Sequence, residues 1–577
     1  MAVENLITEH IDIWTSAIKT KSTSDRGSSK KLELYGVKKL RELISELAVR
    51  GKLVPQDPND EPASVLLERI TAEKAQLVKE KKIEKPKALP PINDSKPFQI
   101  PNNWGWSQLG FLTNYGVCDK LEPKDASPST WVLELEDVEK YTSRLLKKVR
   151  FEERVFKSTK NSFQKNDVIY GKLRPYLDKV LVADEDGACT TEMIPIRGYI
   201  GLIPEFIRLV LKTPYFIEYA NTSTHGMNLP RMGTDKARAA LFPLAPLNEQ
   251  HRIVAKVDEL MALCDQLEQQ TEASIEAHQV LVTTLLDTLT NSADADELMQ
   301  NWARISEHFD TLFTTEESID QLKQTILQLA VMGKLVPQDP SDEPAAELLK
   351  RIAEEKAQLI LKKEIPKTKK FEEISVQDNA FNAPSNWSWV RLETVFNVIV
   401  DCPHSTAKFQ DEGLLCIDTN SFKQGQLHPN RFRFVSKETF DKRNARLVPK
   451  SRDIIFAREG SVGESVVIPE GVECCLGQRV MLFRPSESLN AEFLRLTISN
   501  KGALNQLLVL HKGIGAKHVN VGDMRAFVIC LPPKMEQDRI VDKVNELLGL
   551  CELLKSSLKD FQSTQLYLTD AIVEQAV

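Results

Sequence analysis

The sequence contains no Cys-x-x-Cys pair, although it has nine cysteines, at 118, 189, 264, 402, 416, 474, 475, 530 and 551. No Cys/His cluster has zinc-ligand spacing, so no metal site is expected. The thiols read as reduced, small apolar residues. No GxxxxGKS/T loop is present; Gly51-Lys52-Leu53 and Gly333-Lys334-Leu335 lack the phosphate cradle. The proline pairs Pro90-Pro91 and Pro532-Pro533 have neither the preceding Asn/Asp nor the following aromatic residue of an adenine methyltransferase. HExxH and GxSxG are also missing. No apolar run approaches the ~18–20 residues that span a bilayer, and the opening MAVENLITEHIDIW is too acidic and polar for a secretory signal. These absences point to a cytoplasmic, non-catalytic binding protein with no catalytic residue and no cofactor of its own.

A hydrophobic content of 42% and a charged content of 27% describe an ordinary globular chain, and its length suggests roughly three to five domains. The net charge of −7 argues against a simple basic coat for nucleic acid. The charge is uneven, however: about +2 over residues 104–246, about +4 over 387–531 and about −13 over the rest. The two mildly positive windows are the better candidates for facing a polyanion.

Those windows are set in a frame that occurs twice. ELAVRGKLVPQDPNDEPASVLLERI at 46–70 returns as QLAVMGKLVPQDPSDEPAAELLKRI at 328–352, an offset of 282 residues. NEQHRIVAKVDELMALCDQL at 248–267 returns as MEQDRIVDKVNELLGLCELL at 535–554. In each first block a helix, LELYGVKKLRELISELAV in the first copy, ends at a glycine suited to a C-cap (Gly51, Gly333). Asp60 and Asp342 are candidate N-caps of the helix that follows the Pro-bounded connector, with Pro62 and Pro344 near its first turn. In each second block Ile253, Val257, Leu260, Cys264 and Leu267, or Ile540, Val544, Leu547, Cys551 and Leu554, fall at 4-3-4-3 spacing, a heptad seam. The seams suit pairing with each other or packing on a globular core. The LVPQDP(N/S)DEP blocks serve something common to both halves, either a shared partner subunit, which is the preferred reading, or an intramolecular joint.

The windows themselves open on Trp104-Gly105-Trp106 and Trp387-Ser388-Trp389, whose matching places predict core packing rather than base stacking. Short β-rich runs alternate with turns inside both, each with a helical stretch, PEFIRLVLKT or AEFLRLTIS, so both read as α+β domains. The boundaries are a helical region at 1–103, a first domain at 104–246, a central frame at 247–386, a second domain at 387–533 and a closing helix at 534–577.

The two exits, Pro246-Leu247-Asn248-Glu249-Gln250 with Arg252-Ile253-Val254 and Pro533-Lys534-Met535-Glu536-Gln537 with Arg539-Ile540-Val541, resemble those of type I DNA restriction–modification specificity (S) subunits. The tryptophan openings and doubled GKLVPQDP blocks add to the likeness. So do Asp401-Cys402-Pro403-His404-Ser405-Thr406 with Asp418-Thr419-Asn420, and the run from Tyr170 to Lys179. The likeness covers the whole chain and is strongest to the branch called type IB. It implies two target-recognition domains on a pseudo-two-fold scaffold of long helices forming an antiparallel coiled coil. Each domain would read half of a bipartite double-stranded DNA target. The helices would dock two methyltransferase (M) subunits, which carry S-adenosylmethionine for adenine methylation, and two restriction (R) subunits would add ATP and Mg-dependent restriction. The contrasting possibility is a structural adaptor whose coiled coil joins two ligand-binding domains.

Base edges are read by Arg, Lys, Asn and Gln, and phosphates by Lys, Arg and small polar groups. Candidate DNA contacts in the first domain are Lys172, Arg174 and Lys179, and Thr224, His225, Asn228 and Arg231 in a Gly/Pro-rich loop. In the second they are His404, Lys408, Asn420, Arg458 and Arg479, with His511, Lys512, Lys517, His518 and Asn520 in the corresponding loop. Each could equally be solvated surface.

Overall fold

The structure, a computed structural model, describes residues 3–577 except 22–30, 94, 227–228, 368–370, 376–380, 501, 503 and 505–517. The chain divides into two compact units, residues 1–274 with 561–577, and residues 275–560. Each unit holds one copy of the frame and one α+β insert.

In the first unit, helix α1 (Tyr35–Val49) is amphipathic and buries Val37, Leu40, Leu43, Ile44 and Leu47. It ends as expected at Gly51, whose φ of +68° supports a bond from Lys52 N to Leu47 O (2.9 Å) and another from Gly51 N to Ala48 O. A Cβ there would sit 2.4 Å from Pro101, so the site admits no side chain. The helix starts later than its sequence predicts: Lys31–Leu34 is instead a strand paired antiparallel with Ile18–Lys21. Helix α2 (Ala63–Lys79) follows the connector. Its N-cap position is Pro62, and Asp60 is no cap. The Ala63 N–H donates to Asn103 O instead (2.9 Å), which releases the Asp60 carboxylate to hold Arg252 at 2.7 Å.

The insert lies between β1 (Gly105–Gln108) and β4 (Leu241–Leu244), which pair antiparallel. Its central strands β2 (Val168–Gly171) and β3 (Met193–Ile196) also pair antiparallel, in a three-stranded sheet with Val180–Val182. Asp167, just before β2, binds the Arg197 guanidinium through both oxygens (2.7 and 2.8 Å). Trp104 is buried against Phe206, as its repeated position predicts. The exit feeds α3 (Leu247–Asn291), 45 residues or about 68 Å of helix.

The second unit repeats this plan. Helix α4 (Glu316–Val331) ends at Gly333 (φ +72°), and α5 (Ala345–Leu361) starts after Pro344. Asp342, again no cap, binds Arg539 at 2.6 Å, while Ala345 N reaches Asn386 O. The insert is closed by β5 (Ser388–Arg391) against β9 (Val528–Leu531). Strands β6 (Phe396–Asp401), β7 (Ile454–Ala457) and β8 (Val480–Pro485) share a four-stranded sheet with Ser465–Val467, in which β8 lies between β6 and β7. Asp453 binds Arg484 as Asp167 binds Arg197. Helix α6 (Lys534–Ala576) closes the chain.

The frame helix fixes the direction of the long helices within each unit. In the first, Arg41 meets Asp265 and Glu268 while Gln56 reaches Glu249, so α1 runs against α3. Tyr35 meets Asp570 and Lys52 meets Val577, so α1 runs with residues 561–577. In the second, Asp320 pairs with Lys555 and Lys323 with Glu552, whereas Gln279 reaches Glu317 and Gln321 reaches Thr283. The two long-helix segments of each unit are therefore antiparallel. The seam residues Ile540, Val544 and Cys551 enter one core with Val282, Leu286 and Leu289 of α3, Leu322 and Ile326 of α4, and Trp387.

The near-identical connector block forms an intramolecular joint, the reading that the sequence left beside docking of a shared partner subunit. Gln56 donates to Glu249 (2.5 Å) and Gln338 to Glu536 (2.6 Å), beside the Asp60–Arg252 and Asp342–Arg539 pairs. Its polar side chains hold the start of each long helix. Glu249 and Glu536 are wholly buried, and burial raises both carboxyls above the ordinary glutamate value. The folded state thus binds these protons more tightly than the unfolded chain does. Wild-type stability should fall as pH rises from about 4.5 through the raised values. Combining Glu249→Gln with Glu536→Gln should flatten that dependence in urea unfolding at pH 5 and 7.5. An unchanged slope would mean the two carboxyls are not its source.

The frame holds the first insert largely by main-chain atoms. Lys74 donates to Phe111 O, Glu73 accepts from Ile200 N, Glu46 from Tyr215 N and Gln250 from Ile203 N. In the second unit Lys356 donates to Glu393 O and Gln537 accepts from Asn490 N. Insert side chains share the grip there: Asn397 and Ser486 donate to Glu355, and Asn490 donates to Asp538.

Candidate nucleic-acid interface

Among the described residues no group of His, Cys, Asp and Glu is placed to hold a metal ion, and no helix is long and apolar enough to cross a membrane. What the inserts offer instead are polar edges. In the first, residues distant in sequence come together. The backbone N–H of Arg174 donates to Pro230 O (2.7 Å), and Leu173 bridges Arg231, so the 172–174 segment lies beside the 224–231 loop. Arg174 is exposed and Lys172 half-buried. Thr224 and His225 form a short ladder with Arg231 and Met232. Arg231 is held through Nε by both Glu192 oxygens, at 3.1 and 3.0 Å. Lys179 points elsewhere: its ammonium donates to Leu135 O at 2.6 Å, and burial lowers its pKa. Asn228 lies outside the described residues, as does the side chain of His225.

In the second insert, Arg458 leaves β7 with its guanidinium bound to Asp401 (3.0 Å) and Glu459 (2.9 Å) and is mostly buried. His404 is 70% exposed and 3.5 Å from the same Asp401. Arg479, at φ +64° and 62% exposed, faces Glu459 at 3.7 Å. His518 bridges Glu459 and is exposed. These residues form one edge, built from segments around 401, 458, 479 and 518. Lys408 and Asn420 are exposed on other turns. Asn520 instead caps helix Val521–Ala526, accepting from Asp523 N at 3.0 Å. His511, Lys512 and Lys517 lie outside the described residues.

Sequence reasoning did not single out Glu192, Glu459 or Asp401 as partners of these cations. A signal was available: VIYG and IIFA, followed by Lys172 and Arg458, stand at an offset of 286, close to the 287 that relates the exits.

Comparison with known proteins defines the class. Residues 384–560 match the family model for the type I restriction modification DNA specificity domain. The chain is 39% identical to the type I restriction enzyme EcoAI specificity subunit of Escherichia coli, and 38% identical to that of EcoEI, over 100% of both chains in each case. A solved structure described as the structural basis of complex assembly and conformational transition of the type I R-M system shares the fold. It has a TM-score of 0.51 at 20% identity and covers 83% of this chain and 99% of that one. The chain belongs to the family of type I restriction enzyme specificity subunits. It is accordingly the specificity component of such an enzyme, not a catalytic one.

Proposed function

We propose that the inserts at 104–246 and 387–533 each read one half of a bipartite, asymmetric DNA target. The frame segments at 1–103, 247–386 and 534–577 would space the halves and dock two methyltransferase subunits, with two restriction subunits completing the complex. S-adenosylmethionine, ATP and Mg would belong to those partners, and an adenine would leave the base stack to be methylated. The observation that carries this reading is the pairing of one duplicated frame with two unlike charged edges: like scaffolds present unlike readers.

The direct test is binding of the full chain with its methyltransferase subunits to a duplex pool. Affinity should fall steeply with salt, because phosphate contacts release counterions. A salt-independent affinity would favour the adaptor reading. By itself the chain should bind neither S-adenosylmethionine nor ATP in equilibrium dialysis and should cut no DNA. Saturable binding of either cofactor would contradict this assignment.

A further inference from the structure

The two reading edges grow from the same main-chain junction. In the first insert, Lys172 N donates to Glu192 O (3.0 Å) and Met232 N to Lys172 O (3.1 Å), with a bridge between Leu173 and Arg231. In the second, Arg458 N donates to Arg479 O (2.9 Å) and Val519 N to Arg458 O (3.0 Å), with a bridge between Glu459 and His518. Three segments thus meet identically twice: the exit of a central strand, the start of its antiparallel partner, and the returning loop. Met232 and Val519 are both buried and anchor the junction.

The side chains on these three arms differ. On the central strand's exit stand Lys172 and Leu173 in one copy, Arg458 and Glu459 in the other. The partner strand carries Glu192 or Arg479, and the loop carries Arg231 or His518. Each copy nevertheless contains one partly exposed arginine paired in charge with a carboxylate from a neighbouring arm. In the first insert it is Arg231, 39% exposed, held by Glu192; in the second it is Arg479, 62% exposed, facing Glu459. The arginine has changed arms while the motif is kept. In the second copy Asp401 Oδ1 and Arg458 Nε are also buried without a hydrogen-bond partner among the described residues.

We propose that this junction is the specificity-determining element of both domains, with Arg231 and Arg479 each reading a guanine and Glu192 and Glu459 acting as positioning residues. A guanidinium fork matches guanine O6 and N7 in the major groove, the commonest specific base contact. In the first copy the Glu192 carboxylate behind Nε fixes the plane of the fork before DNA arrives and reduces the order lost on binding, whereas in the second Glu459, at 3.7 Å, steers Arg479 by charge alone. The carboxylate also repels phosphate, which favours a base-reading role over a backbone role for these two arginines. Moving the arginine from the loop to the strand shifts where the guanine must lie, so one scaffold can read two sequences.

This assignment rests on the DNA-reading function proposed above, and its test separates the two. The full-length chain with its methyltransferase subunits is used to select from duplexes with randomised bases. If the wild type selects no sequence, the function itself is wrong. If it selects a bipartite motif, Arg231→Ala should relax one guanine in one half by about tenfold to a hundredfold and leave the other half intact. Arg479→Ala should do the same in the opposite half. Arg231→Lys should relax the same position, because an ammonium cannot form the fork. Glu192→Gln and Glu459→Gln should weaken discrimination at those same positions, and Glu192→Gln, whose carboxylate meets only the partly exposed Arg231, should do so with unchanged melting temperature. An unaltered motif, a uniform loss of affinity for all sequences, or relaxation at a base other than guanine would overturn the assignment.

Discussion

Replacing residues 104–246 with another domain of the same class should change one half of the bound sequence and leave the other half as it was. The structure supplies the reason. The insert begins and ends on one antiparallel strand pair, β1 with β4, so its two ends leave at a single place. The frame then holds it through Phe111 O and the N–H groups of Ile200, Ile203 and Tyr215. Every residue except proline offers such groups, so a foreign insert with the same backbone path can be held without matching side chains. The insert side chains of Gln108, Arg238 and Tyr215, which reach Pro90 O, Lys87 O and the Phe98 ring, set the remaining requirement on a foreign domain. Each mismatched base pair costs about 1–3 kcal/mol, so three or more changed positions should lower affinity for the original target by about a hundredfold or more. Selection from randomised duplexes would show one new half-site and one retained. A change in both halves would mean that the domains are coupled, and no change would place recognition outside the insert.

What the sequence disclosed follows from the duplication. Where both copies agreed, the repeat acted as an internal alignment: Gly51 and Gly333 proved to be left-handed helix ends, and Trp104 and Trp387 proved to be core. The same comparison did not disclose the internal partners of the shared polar residues. Gln56 and Asp60 find their partners about 190 residues away, at Glu249 and Arg252, and no local pattern reports that distance. Asp60 looked like a cap because it stands just ahead of a helix, but the first N–H is served by Asn103 O from the segment beyond that helix, at the entry to the insert. The reading edges were the least legible part. Their charged residues were visible as Lys and Arg near β-rich runs. Whether a given cation is held ready or tied into the fold depends on cross-strand neighbours: Arg231 is presented by Glu192, whereas Lys179 is drawn inward to Leu135 O.

Lengthening both long helices by one heptad, after Ser274 in α3 and after Asp560 in α6, should abolish binding to the original target while leaving each domain folded. These positions fall where each helix passes from one compact unit to the other. Seven residues preserve the spacing of the seam, since a heptad departs from two full helical turns by only about 20°. The insertion adds about 10.5 Å of helix, equal to about three base pairs at 3.4 Å each. Over three base pairs the duplex also turns by about 100°, given 10–10.5 base pairs per turn. The lengthened helices would follow the translation but not that rotation. No gap length then satisfies both domains on undistorted DNA, and each half-site would be held singly. Affinity should fall from that of two linked sites to that of one, a loss of about a hundredfold or more. Adding a heptad to one helix alone should be worse, because it shifts residues 561–577 against residues 1–274 and breaks pairs such as Tyr35–Asp570. The measurement is binding to a series of duplexes whose half-sites are separated by increasing gaps. An unchanged preferred gap in the doubly lengthened protein would show that the helices do not set the spacing.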